Sequence, residues 1–160
     1  MARYSNTYGH NGRAALAVAR SVPRTGVSDV STITVSDSTQ LANALKVAKA
    51  GDTIALNSGN YTNVSIQNLS FSSDLTITSA DATKEAVITG LKISGVTGLT
   101  MKNLEVVSNN GFSVSSSSNI HLDHLNLHGS LDNDPTNDGT GLSISQVTNM
   151  SVTWLIDRPV

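Results

Sequence analysis

A pattern of apolar residues occurs three times in the chain, and it limits the possible folds more than any other feature. The first copy has Leu91, Ile93, Leu99, Met101, Leu104 and Val106, and the second has Phe112, Val114, Ile120, Leu122, Leu125 and Leu127. The third keeps five of these positions, with Leu142, Ile144, Met150, Val152 and Leu155, and has Asp157 at the sixth. The residues come in pairs two positions apart, which is the spacing of inward-facing side chains on a strand. Three short strands per copy, at a period of about 21 residues, predict one turn of a parallel β-helix for each copy.

An amphipathic helix is predicted ahead of the repeats, over residues 38–50. Asp37 is a candidate N-cap, and Gln40 stands at the capping-box position three residues later. One apolar stripe at helical spacing consists of Leu41, Ala44, Leu45 and Ala48. Gly51 follows where a left-handed C-terminal cap is expected. A helix across the first turn would cover its core and its unpaired strand edge, so the expected fold is all-β with an N-terminal capping helix.

The segments outside the repeats suggest the domain boundaries. Residues 1–30 carry four arginines among three glycines and one proline, and we expect a flexible N-terminal arm there; an arm that touches an acidic polymer is the alternative. Residues 31–160 are expected to form one parallel β-helix. The chain stops at Val160, just after the third copy, without a second capping segment. We therefore expect either the N-terminal part of a longer protein or self-association through an open last coil.

Composition excludes several classes of function. The chain of 160 residues has 10 basic and 12 acidic residues, and this near balance does not indicate a nucleic-acid-binding protein. It has no cysteine, so neither a disulfide nor a thiolate metal site is expected. No apolar stretch approaches the roughly 18 residues of a membrane span. No signal peptide is visible at the N-terminus.

One short segment carries a resemblance to a known family. Residues 50–61, with the sequence AGDTIALNSGNY, resemble the opening of right-handed parallel β-helix proteins of the pectate-lyase-like superfamily. This superfamily includes alginate and chondroitin lyases and mannuronan C5-epimerases, and the resemblance extends over about residues 33–155. It implies a right-handed β-helix that acts on an acidic polysaccharide by proton abstraction at C5 of a uronate, as a lyase or an epimerase. It also implies an extracellular or cell-surface location.

The same coils serve proteins of unrelated activity, so a second class of function stays open. Parallel β-helices also occur in hydrolases and phage fibres, and fold alone does not determine function. The alternative is a non-catalytic segment that binds glycans or acts as an adhesin or structural solenoid.

The resemblance also implies where a substrate would bind. In the superfamily the cleft runs along the outer face of the first strand of each coil. The outward positions there are expected to be Thr76, Lys92, Ser113 and Ser143, of which Lys92, Ser113 and Ser143 are the candidate substrate-binding residues. Catalytic residues stay unknown, because Lys92 is the one ionisable side chain expected on this face.

Two further groups of polar residues could carry chemistry. Asp132, Asp134 and Asp138 lie in a connection about nine residues longer than the one before it, and their oxygens are ligands that Ca²⁺ prefers. A solvated loop is the alternative, since Asp, Asn, Pro and Gly also form turns. His121 and Asp123 are expected to face outward beside Lys102. That arrangement suits either proton transfer or a cross-strand ion pair.

Overall fold

A computed structural model describes residues 29–129, 141–153 and 156–157 of the chain. One helix and eight strands occur there. The first elements are β1 (Thr32–Val35), α1 (Ser38–Val47), β2 (Thr53–Leu56), β3 (Asn60–Gln67) and β4 (Ser70–Ser79). They are followed by β5 (Ala86–Ser94), β6 (Thr97–His128), β7 (Leu142–Thr153) and β8 (Ile156–Asp157). The described part of the chain is therefore all-β apart from α1, as the repeat predicts.

All the strands belong to one sheet and every strand pair is parallel. The order is β1-β2-β4-β6-β5-β3, and β7 and β8 also pair with β6. Each pair joins equivalent positions of successive copies: Leu91 pairs with Phe112, and Phe112 pairs with Leu142. Hydrogen-bonded partners lie 21 residues apart at Thr97 and Ser118 but 30 apart at Ser116 and Gln146. The register is thus kept although the connection before β7 is longer.

The core consists of the residues that the repeat predicts to face inward. All the apolar positions of the first two copies are buried, and none of these side chains is more than 6% exposed. Leu91 and Phe112 are neighbours in this core, and Leu142 packs against it. Burial of each such side chain stabilises the fold by about 1.5–3 kcal/mol, so these columns supply much of the driving force.

The third copy differs from the first two in its burial. Ile144 and Val152 are 50% and 41% exposed, although they pair in register with the buried Val114 and Leu122. The prediction that they lie inside the core is wrong for the described residues. The physical reason is that β7 pairs with β6 on one side, and no described strand lies against its other side.

The three separate strands predicted for each copy are joined in the structure. β6 is continuous over 32 residues and spans most of two copies. It turns where φ is positive, as at Asn103 (52°), Asn119 (53°) and His124 (50°). Asparagine tolerates the left-handed conformation better than most residues, which accounts for its use at these bends.

The predicted helix forms, but it ends earlier than expected. The backbone N–H of Gln40 donates to Asp37 Oδ1 over 2.7 Å, and Ser36 N–H donates to the Gln40 side chain over 3.0 Å. Leu41, Ala44 and Leu45 are buried against the strands. The helix ends at Val47 with Ala48 as its C-cap, so Gly51 is not the cap. Gly51 has a φ of +87° in the turn that leads into β2.

Two residues of the 50–61 segment have structural roles at the start of the sheet. Asp52 is 2% exposed and accepts backbone N–H bonds from Ser31 and Lys49, each over 2.8 Å. The hydroxyl of Tyr61, which is fully buried, lies 2.9 Å from the carbonyl oxygen of Val35 and 3.0 Å from that of Asn57. Through these hydrogen bonds, the segment connects β1 to the turn after β2.

We expect Asp52→Asn to destabilise the protein at neutral pH and to matter less in acid. The backbone N–H groups of Ser31 and Lys49 hold the pKa of Asp52 below its ordinary value. A carboxyl group with a lowered folded-state pKa contributes stability above its unfolded pKa of about 3.9, and this contribution is lost as the pH falls through the folded pKa. The difference between the unfolding free energies of the wild type and the variant should therefore be largest near neutral pH and shrink in acid. Urea titrations at several pH values measure it, with the exposed Asp29→Asn as control. A constant difference would contradict the prediction.

The predicted arm, residues 1–30, lies outside the described residues except for the exposed Asp29 and Val30. Among the helices that are described, none has the length and apolar character needed to cross a membrane.

Candidate functional site

A column of polar side chains runs along the outside of β3, β5, β6 and β7. Ser65 pairs with Lys92, Lys92 with Ser113, and Ser113 with Ser143, so the three predicted substrate-binding residues are direct neighbours. Ser65, Lys92 and Ser113 each alternate with buried residues: Lys92, for example, stands between Leu91 and Ile93. Ser143 continues the column through its pairing with Ser113. The pleat therefore places all four side chains on one outer face, at the strand spacing of about 4.8 Å. We call this surface the Lys92 face.

A shallow cavity lies on the Lys92 face. Its volume is about 250 Å³, and its lining includes Asn63, Ser65, Lys92, Gly111 and Ser113. The side chain of Lys92 is exposed, and no carboxylate of the described residues forms an ion pair with it. The cavity thus combines hydroxyl and amide groups with one accessible positive charge.

Thr76 is not part of this column, and the expectation that it stands beside Lys92 is wrong. Thr76 pairs with Thr53 and Thr100, on β2 and β6. The position below Lys92 is occupied by Ser65 instead. The sequence contains a signal for Ser65, because Val64 and Ile66 flank it with the same spacing as Leu91 and Ile93. Apolar pairs identify the outward residue, but they do not identify which strands stack.

A second cleft lies on another side of the sheet and has the opposite charge. Its volume is about 610 Å³, and Glu85, Asn103, Glu105, His124 and Asn126 contribute to its lining. No sequence pattern identifies Glu85, Glu105 or Asn126 as functional residues. An acidic polymer would be repelled by the two carboxylates, so this cleft fits such a ligand less well than the Lys92 face does.

His128 is buried and pairs with Glu105, which is partly exposed and lines that cleft. Its Nε2 lies 2.8 Å from Glu105 Oε1, its Nδ1 lies 2.6 Å from the carbonyl oxygen of Gly129, and its side chain is 5% exposed. Both nitrogens face oxygen acceptors, so the ring fixes the end of β6. No sequence pattern predicts this contact, because it depends on the register of the paired strands.

The predicted group of His121, Asp123 and Lys102 is divided between two sets of contacts. Asp123 Oδ1 accepts from Thr153 Oγ1 over 2.6 Å and lies 2.8 Å from His124 Nδ1. The pKa of Asp123 is lowered, first by the hydrogen bond from Thr153 and then by His124 and Lys102. His121 instead contacts Ser151 and Asp74. Asp123 is thus held as a carboxylate by neighbours other than His121.

The predicted metal ligands Asp132, Asp134 and Asp138 lie outside the described residues. Within residues 29–129, 141–153 and 156–157, no three His, Asp or Glu side chains come together as a metal ion would require.

Comparisons with known proteins give a likeness to solved structures and nothing else. No protein-family model matches the chain, and no curated protein matches it. Among solved structures, the chain is similar to the crystal structure of an alginate lyase from Paenibacillus sp. str. FPU-7, with 20% identity and a TM-score of 0.42. The match covers 75% of this chain and 57% of that one, so this chain spans little more than half the length of that protein.

Proposed function

We propose that this chain forms part of a right-handed parallel β-helix that binds an acidic polysaccharide along the Lys92 face. The observation that carries the proposal is the exposed ammonium group of Lys92, which has no ion-pair partner among the described carboxylates and stands above a polar cavity on a net acidic protein. A lysine in this position can pair with the carboxylate of a uronate. Such charge-assisted contacts contribute about 1.5–3 kcal/mol each.

Hydroxyl groups on both sides of Lys92 extend the proposed binding surface. Ser65, Ser113 and Ser143 repeat along the direction in which the strands stack. Serine hydroxyls both donate and accept hydrogen bonds, as sugar hydroxyls do. A linear polymer that lies across the strands would therefore meet several polar side chains and one cation.

The enzymatic form of the proposal is a uronate lyase or C5-epimerase. Lys92 would neutralise the substrate carboxylate, which makes removal of the C5 proton easier. A base and an acid are also required. None of the described residues in the Ser65–Lys92–Ser113–Ser143 column is His, Tyr or Arg. This observation favours the second candidate, a non-catalytic glycan-binding or structural segment, for the described part of the chain.

We expect Lys92→Ala to weaken binding of alginate or pectate oligosaccharides by about tenfold or more. The reason is the lost charge-assisted contact, since 1.4 kcal/mol corresponds to tenfold in affinity. Isothermal titration calorimetry at low salt measures the change. The control is Lys84→Ala, which removes an equal charge at an exposed position of the turn after β4. Equal weakening by both variants would indicate a general charge effect and would contradict a site at Lys92.

An activity assay separates the enzymatic and binding forms of the proposal. The chain is incubated with alginate, pectate and chondroitin, with and without calcium, and the ultraviolet absorbance of the unsaturated product is followed. New absorbance supports a lyase, and product NMR detects epimerisation. Binding without either change supports the glycan-binding segment. Absence of binding to all three polymers would contradict both forms.

Calcium binding by Asp132, Asp134 and Asp138 is part of the proposal. We expect Asp134→Ala and Asp138→Ala each to reduce calcium binding measured by calorimetry, because each removes an oxygen ligand. No heat on titration of the unmodified chain would end this part of the proposal. An extracellular or cell-surface location, truncation at the C-terminal end and self-association through the third copy stay predictions from the sequence.

A further inference from the structure

A carboxylate, an imidazole and a hydroxyl group stand in line on a different side of the sheet from the Lys92 face. His121 Nδ1 lies 2.6 Å from Ser151 Oγ, and His121 Nε2 lies 3.6 Å from Asp74 Oδ2. His121 and Ser151 are direct partners in the β6–β7 ladder, so the backbone register brings them together. Thr100 Oγ1 donates to the same Asp74 oxygen over 2.9 Å and holds the carboxylate in place.

These contacts are consistent with one tautomer of His121. The Asp74 carboxylate beside Nε2 favours a proton on that nitrogen, since a carboxylate is an acceptor only. Nδ1 is then free to accept, and its neighbour Ser151 can donate its hydroxyl proton to it. The three side chains thus stand in the order carboxylate, base and nucleophile. Compared with the serine-protease arrangement, the two ring nitrogens are exchanged, because Nε2 faces the carboxylate and Nδ1 faces the hydroxyl group. The longer contact to Asp74 does not exclude this role, because catalytic hydrogen bonds often tighten only when substrate binds.

We propose that Asp74, His121 and Ser151 form a site that hydrolyses acyl esters, with O-acetyl groups on polysaccharides as the substrate class. The side chains of His121 and Asp74 are 39% and 33% exposed, so the site is open to an extended polymer. The surrounding outward residues are hydroxyl-bearing, among them Thr76 and Thr100, which pair with each other. Such a surface suits a sugar chain better than an apolar acid or alcohol.

The reaction would proceed by two acyl transfers. Ser151 Oγ attacks the ester carbonyl carbon while its proton passes to His121 Nδ1, and the bond to the sugar oxygen breaks as that oxygen takes the proton. Water then attacks the acetyl-serine ester and gives its proton to His121. The bond between the acetyl carbon and Oγ breaks, Ser151 regains its proton and acetic acid leaves.

One further residue has a supporting role in this proposal. Asp74 is a positioning residue, because it acts through His121.

The first experiment measures hydrolysis of 4-nitrophenyl acetate and of an O-acetylated polysaccharide by the whole chain. We expect Ser151→Ala and His121→Ala each to lower kcat/KM by about 100-fold, the usual contribution of a general base and its nucleophile. Asp74→Asn should lower kcat about tenfold with KM unchanged, which a purely structural role would not do. The matched controls are Ser145→Ala, an exposed serine on the same strand, and His124→Asn, which keeps a residue that tolerates the left-handed turn.

The second experiment does not depend on how well the variants fold. A fluorophosphonate should phosphonylate Ser151: the serine oxygen bonds to phosphorus, fluoride leaves and His121 takes the proton. Peptide mass spectrometry is expected to find the adduct on Ser151 in the wild type. No hydrolysis above the buffer rate, an adduct elsewhere or no adduct, or equal losses in the control variants would overturn the proposal.

Discussion

Replacement of Phe112 by alanine is expected to lower the free energy of unfolding by about 3–5 kcal/mol, the usual cost of removing a buried aromatic side chain. Phe112 is 1% exposed and pairs in register with Leu91 on one side and Leu142 on the other. Its removal would leave a cavity between two copies of the repeat. The rigid backbone ladder on both sides restricts the movement that could fill it.

Urea unfolding followed by circular dichroism measures this loss. The matched control is Phe71→Ala, because Phe71 is only partly buried and packs against the edge of the same core. We expect the control to lose less than half as much stability. Equal losses would contradict the stacked column as the main source of stability.

Gly98→Ala is expected to cost about 2–5 kcal/mol for a different reason, the position of the backbone itself. Gly98 has a φ of +76°, and an added Cβ would lie 2.6 Å from the carbonyl oxygen of Phe71. An alanine in the left-handed region costs about 1–2 kcal/mol. Relief of the contact requires a backbone shift, which adds about 1–3 kcal/mol.

The comparison for this variant is Gly141→Ala. Among the described residues, an added Cβ at Gly141 would have its nearest contact at 3.9 Å, with Leu127 Cδ2. Thermal unfolding of both variants should therefore show a large decrease in Tm for Gly98→Ala and almost none for Gly141→Ala. A small effect at Gly98 would mean that β4 can move away from β6 at low cost.

The features that follow from local sequence were predictable. Spacing by two identified Leu104 and Leu125 as core residues, since alternation along a strand needs no knowledge of the neighbouring strand. Asp37 and Gln40 marked the start of the helix for a similar reason, because a capping box involves residues three apart. The end of the helix was less well predicted: Gly51 has the left-handed φ expected of a cap but belongs to the next turn.

Features that depend on register were not predictable in the same way. Thr76 was assigned to the wrong column because the strands before residue 86 are spaced less regularly than the later copies. Ser65, which does lie below Lys92, pairs with a strand 27 residues further on. The contacts of His121 with Asp74 and Ser151 join residues from three strands, and the contact of the buried His128 with Glu105 spans 23 residues. Such contacts form only when the strands have paired in their final register.

Hydrogen-bonded partners lie 21 residues apart in the earlier copies and 30 residues apart between β6 and β7, and the strands stay in register in both places. This bears on how the scaffold could be redesigned. Each doubling in length of a flexible connection costs only about 0.6 kcal/mol of closure entropy. Foreign peptides grafted between His128 and Leu142 should therefore leave the rungs on either side paired as before. The protein would serve as a display framework in which length at this junction is a free variable.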